Sequence, residues 1–208
     1  MNSGVWVNGK KAGEWKYGYS TFEFDISNLV KEGENEILVI VVYQNCNTRW
    51  YSGAGIIRDV TYINTPEIYL ASDGVYFSAF PQDKEKLDGL WTVKISSEIS
   101  GDKDKTGCSI THSIIDKKGK IFAKFEKDGD DFSVFAPHLW DIIDPYFYFL
   151  KTELKDQNGV KLDEICQHCG FKFAEFTNNK GFFLNGRHLK INGACHHHDH
   201  GALGASSI

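Results

Sequence analysis

Short runs in which apolar and polar residues alternate, cut by turn residues, most constrain the fold of this 208-residue chain. A period of two puts one side of a run against a core and the other in water, which is how a half-buried strand is built. Trp91, Val93, Ile95, Ser97 and Ile99 alternate strictly with their neighbours, and so do Ile110, His112 and Ile114. Asp116-Lys117-Lys118-Gly119 turns the chain, after which Ile121, Ala123 and Phe125 resume the pattern. Residues 132–135, 146–154 and 160–169 supply further strands, the last two joined through Asp156-Gln157-Asn158-Gly159. Helical periodicity is almost absent, so the chain reads as mostly β, an antiparallel sandwich.

About seven short strands in about 100 residues predict an immunoglobulin-like β-sandwich, which we bound at residues 67–173. Before it lies a separate β unit, residues 1–66. Gly4-Val5-Trp6-Val7-Asn8-Gly9-Lys10 reads as a strand entering an Asn-Gly hairpin turn. Phe22 and Phe24 alternate with polar residues, and Gly33-Glu34-Asn35 leads into the apolar run 37–43. From Ala174 the pattern changes. Phe182-Phe183-Leu184 and Leu189-Lys190-Ile191 flank Asn185-Gly186 as a small hairpin, followed by a stretch dense in histidine up to Gly204.

Composition closes off several function classes. The net charge of −5 is scattered in mixed clusters such as Asp83-Lys84-Glu85-Lys86, and no basic stripe is available for a phosphate backbone. Nucleic acid is therefore not expected as a partner. The apolar run 37–43 is far shorter than the roughly 20 residues of a membrane span, and no signal peptide opens the chain. Five cysteines, an odd number, argue against a disulfide framework and for reduced thiols in a cytoplasmic setting.

Four stretches, in order, carry a resemblance. Val5-Trp6-Val7-Asn8-Gly9-Lys10 with Gly18-Tyr19 and Phe22-Glu23-Phe24-Asp25-Ile26 is the first, and Arg49-Trp50-Tyr51-Ser52-Gly53-Ala54-Gly55-Ile56-Ile57-Arg58-Asp59-Val60 the second. His138-Leu139-Trp140-Asp141-Ile142-Ile143-Asp144-Pro145-Tyr146 is the third. The fourth runs from Gly170-Phe171-Lys172 through Leu184-Asn185-Gly186 to His196-His197-His198-Asp199-His200-Gly201-Ala202-Leu203-Gly204. Together they resemble glycoside hydrolase family 2 of the β-galactosidase type. The resemblance implies a partial jelly-roll (galactose-binding-like) sandwich, the immunoglobulin-like sandwich and, over residues 174–208, the first strand of a truncated (β/α)8 barrel. It implies a retaining glycosidase of carbohydrate metabolism that hydrolyses terminal β-galactosides or related β-glycosides. The family's jelly roll and barrel extend beyond both ends, so the chain reads as a fragment.

Retaining hydrolysis needs an acid/base and a nucleophilic carboxyl about 5–5.5 Å apart. The resemblance implies that both are Glu on later barrel strands, so no catalytic residue is assigned within this chain. It is expected to be inactive by itself. The resemblance implies substrate contacts at His197, with Asp199 orienting a neighbour or accepting from a hydroxyl, and at Asn47 and Arg49 (with Asn45) from the loop before the second motif. Trp50 and Arg58 read more simply as structural. Cys166-Gln167-His168-Cys169 is a CxxC, but residues three apart on an alternating strand point to opposite faces. No metal and no cofactor are expected. A non-catalytic carbohydrate-binding or scaffold module is the alternative reading. A partial jelly roll is also expected to leave a sheet edge near residues 5–7 open to association, and the oligomeric state is not legible.

Overall fold

The structure, a computed structural model, describes residues 2–43, 55–56 and 58–195, and these contain strands and turns but no helix. It divides into a unit up to Tyr62 and a second spanning Ile63–Asn192.

In the first unit β1 (Asn2–Val7), β2 (Lys10–Trp15) and β3 (Ile37–Val42) form an antiparallel sheet of order β2-β1-β3. Asn8 and Gly9 join β1 to β2 with φ of 49° and 77°. Two consecutive left-handed residues make the tight hairpin turn whose twist suits the strands. Asn8 also fastens the segment before β3. Its Nδ2 donates to Leu29 O at 2.9 Å and Asn35 Oδ1 at 2.8 Å, and its Oδ1 accepts from the Glu36 amide at 3.1 Å. Gly13 has to be glycine, because a Cβ there would run into the Phe24 ring. The open edge expected near residues 5–7 is corrected: β1 is the middle strand, bonded on both sides. Among the described residues the outer strand β3 is the apolar edge, with Ile37, Leu38, Ile40 and Val42 all exposed.

The second unit is the two-sheet sandwich. Its strands are β4 (Tyr69–Pro81), β5 (Leu90–Ser100), β6 (Ser109–Ile115), β7 (Ile121–Phe125), β8 (Asp131–Phe135), β9 (Tyr148–Lys155) and β10 (Lys161–Cys169). One sheet has the order β4-β5-β8 and the other β10-β9-β6-β7. Seven strands in two antiparallel sheets are the immunoglobulin-like arrangement expected. The sequence reading names no strand over β4, the longest of them. Its pairing with β5 shifts register between Leu70 and Val75, around Asp73 at φ 53°, so the alternation breaks mid-strand. Side chains from β10 satisfy the disturbed backbone: Leu70 N donates to Asp163 Oδ2 at 2.9 Å, and Gln167 Nε2 donates to Val75 O at 3.1 Å.

Phe171 sits at the centre of the core. It is fully buried and meets Phe77, Trp91, Phe122 and Tyr148 edge to face, with ring centroids 5.5–6.2 Å apart. Trp91 buries its ring and still donates its indole N–H to Leu87 O at 2.9 Å. Beyond the sandwich, β11 (Ala174–Thr177), β12 (Gly181–Leu184) and β13 (Arg187–His188) form a small antiparallel sheet belonging to the same compact unit. The Asn185-Gly186 hairpin is there, with φ of 50° and 75°. Its second strand is Arg187–His188 rather than 189–191, although Leu189 N still donates to Phe182 O at 2.9 Å. Residues 190–195 carry no strand.

Candidate functional site

His197, Asp199, Asn47 and Arg49, the residues singled out for sugar contact, lie outside the described residues, as do Asn45, Trp50 and the neighbouring histidines. The structure does show what anchors the chain just before the histidine-rich segment. Asn185 is the pin. Its left-handed backbone turns β12 into β13, while its Oδ1 accepts from Phe173 N at 2.9 Å and its Nδ2 donates to Trp140 O at 2.9 Å. Phe173 O in turn accepts from Asn185 N at 2.7 Å. One short amide therefore ties three segments together, a job open to a side chain with both a donor and an acceptor.

Arg187 adds a second fastening. Its Nη2 lies 2.8 and 3.1 Å from the two carboxylate oxygens of Asp141. The Ile143 amide, more than the nearby Arg187 charge, holds the Asp141 carboxyl below its usual range. Within the same loop His138 Nε2 meets Asp144 Oδ2 at 2.6 Å, and its ring stacks on Tyr146 with centroids 4.1 Å apart. The His138 amide donates to Tyr148 Oη at 2.9 Å, and Trp140 N donates to Phe171 O at 2.8 Å. The third motif is thus a folded loop bonded to the core on one side and to the β12–β13 hairpin on the other. Sequence reasoning missed Asn185, Asp141 and Arg187 as a set, because partners some 45 positions apart leave no local pattern.

A glycosidase acid carries a carboxyl pushed up. The described carboxyls that depart from their usual range all move down, each held by a nearby donor. For Glu14 the donor is Lys11, for Asp25 the Ser27 hydroxyl, for Asp104 the Thr106 hydroxyl and for Glu164 Lys161. The CxxC cysteines stand on opposite faces of β10: Cys166 is exposed, whereas Cys169 is buried, with its thiol pushed up to about 12 by burial. They do not converge on one ion.

Comparison with known proteins agrees with this layout. Residues 2–76 match the family model of the glycosyl hydrolases family 2 sugar binding domain, and residues 81–172 match that of glycosyl hydrolases family 2. The β-galactosidase BoGH2A of Bacteroides ovatus is 33% identical over 99% of this chain and 25% of its own length. A β-glucuronidase of Bacteroides fragilis is 29% identical over 96% of the chain and 31% of its own. A crystal structure of a β-glycosidase from Bacteroides vulgatus superposes with a TM-score of 0.87 and 32% identity, covering 100% of this chain and 27% of that one. The chain thus spans about a quarter of the length of such relatives. With two consecutive family matches covering most of its residues, and solved relatives sharing its fold, the chain belongs to glycoside hydrolase family 2.

Proposed function

We propose that this chain is the non-catalytic framework of a retaining β-galactosidase, contributing one wall of the sugar site but neither catalytic carboxyl. The observation that carries the reading is 33% identity to a β-galactosidase across 99% of these residues, with both family matches in order on one chain. In this reading His197 donates a hydrogen bond to a sugar hydroxyl, and Asp199 orients a neighbour or accepts from a second hydroxyl. Asn47 and Arg49 reach the same sugar from the loop before the second motif. Rigid hydrogen-bond donors around the substrate, set by a supporting shell, give such a site its orientation.

Two assays test this. The 208-residue chain, given chromogenic β-galactoside and β-glucuronide, is expected to turn over neither, and genuine turnover would remove the framework reading. Substituted for the matching quarter of the Bacteroides ovatus enzyme, it is expected to support galactoside hydrolysis. His197→Ala in that chimera should raise KM by about tenfold, the worth of one hydrogen bond of ~1.4 kcal/mol. A folded chimera that prefers the glucuronide would move the assignment to that sugar, which other relatives cleave by name. The match of residues 2–76 to a sugar binding domain favours a second reading, a free-standing carbohydrate-binding module. Saturable heat on titrating galactose or lactose into the chain would establish it.

A further inference from the structure

The sandwich core is interrupted by a polar layer. Its larger apolar cluster includes Ile95, Ile114 and Leu150, and its smaller one Leu70, Ile110 and Leu154. On the same faces of β5, β6 and β9, between the two clusters, stand Ser97, His112 and Thr152. His112 and Thr152 face each other in register and are both 0% exposed. Thr152 Oγ1 lies 3.0 Å from His112 Nδ1, and Asp128 Oδ1 lies 3.1 Å from Nε2. A carboxylate only accepts, so Nε2 carries the proton and Nδ1 accepts from the Thr152 hydroxyl. The neutral ring is then satisfied at both nitrogens.

Asp128 belongs to the connection between β7 and β8, and its other oxygen reaches the opposite sheet. Oδ2 accepts from the Ser97 amide of β5 at 3.1 Å, and the Gly129 amide donates to Ile95 O at 3.0 Å. One carboxylate is therefore held by both sheets. We propose that His112 is a proton-sensitive clasp: when its ring takes a second proton, residues 126–130 lift away from β5 and this end of the sandwich opens.

The chemistry runs through Nδ1. A proton there confronts the hydroxyl that had been donating to it, so Thr152 has to rotate and find another acceptor. A full charge would also stand on a ring that is itself fully buried. Burial pushes the His112 pKa down, against the raising influence of the Asp128 hydrogen bond and charge. An unfolded imidazole titrates near about 6.5, and the folded one lower. The stability that the neutral ring contributes is present above that value and is lost as pH falls through the folded one. Ser97 Oγ, buried without a partner, means the layer already holds one unmet polar group and resists opening less.

The charges on the elements around the ring point elsewhere. Lys124 on β7 and Glu126 just after it pair with each other at the surface. On β9, Lys151 and Glu153 occupy the outer face, where Lys151 also meets Glu164 of β10. Glu98 on β5 and Lys127 and Asp130 in the connection are exposed. Among the described residues Asp128 is the charged group that faces the imidazole.

The test is amide hydrogen exchange of the full chain by NMR between pH 7.5 and 5.0, corrected for intrinsic rates. Protection at Ser97 and Gly129 is expected to fall at least about tenfold on acidification, equivalent to ~1.4 kcal/mol. In His112→Gln, which cannot take the proton, the fall should vanish. Unchanged protection in the wild type, or the same fall in the variant, would overturn the proposal. If the variant does not fold, the His112 ring resonance in the wild type decides. A midpoint below the usual value of about 6.5 supports the clasp, and one at or above it refutes it.

Discussion

Replacing Phe171 with alanine is expected to unsettle the whole sandwich while leaving the first unit untouched. The ring is fully buried and touches four other aromatic rings, drawn from β4, β5, β7 and β9. Truncating a buried phenylalanine costs about 3–5 kcal/mol, because the lost transfer energy is joined by the cavity left behind. The upper part of that range applies here, since several edge-to-face pairs, each contributing about 0.5–1.5 kcal/mol, disappear together. At ~1.4 kcal/mol per tenfold, a loss of about 4–5 kcal/mol makes the slowest amides of β5 and β9 exchange about 700- to 4000-fold faster. Hydrogen exchange with mass spectrometry reads this directly. Peptides from β1 and β2 provide the internal control, because they belong to the other compact unit. Phe171→Leu, which keeps most of the volume but loses the ring, should fall between wild type and the alanine variant. Acceleration of less than about tenfold in Phe171→Ala would show that the core closes over the cavity, and that Phe171 does not organise it.

Asn185→Ala removes two hydrogen bonds and replaces a residue type that tolerates φ 50° by one that does not, for a combined loss of about 2–4 kcal/mol. Asn185→Gly keeps the turn and should lose only the hydrogen-bond share, so equal denaturation midpoints for the two variants would contradict this division. On β3, Ile40→Lys puts a charge on an exposed apolar edge and is expected to lower self-association in sedimentation velocity. Unchanged association would place the sticky surface elsewhere.

Strand patterning was legible wherever one face of a strand is buried and its neighbour is regular. β5 shows it plainly, since Trp91, Val93 and Ile95 are buried while Lys94 and Ser96 beside them are exposed. β4 was not legible because its bulge changes the side that each residue faces, and the side chains that repair it, Asp163 as acceptor and Gln167 as donor, come from β10, 93 and 92 positions away. Phe171 looked like part of the approach to a barrel because a single aromatic in Gly170-Phe171-Lys172 carries no period. Its role comes from where the chain returns after β10. The alternation places His112 inward, yet nothing local announces that Asp128 and Thr152 complete it. The hairpin at Asn185-Gly186 was visible from its turn residues, whereas its second strand begins at Arg187, earlier than the apolar residues suggested. An apolar pattern marks burial. Pairing also follows the turn, which fixes the register immediately after it.

The position of Phe171 also sets a clock on synthesis. Phe77 and Trp91, two of the rings it touches, leave the ribosome long before it does. At about 5–20 residues per second, the roughly 90 residues between Phe77 and Phe171 take about 5–20 s to translate. Once β8 has emerged, β4 and β5 have their backbone partners but still lack the ring that fills the space between the sheets. The nascent sandwich therefore waits, with Trp91 uncovered, as a client for whatever shields apolar surface at the exit tunnel.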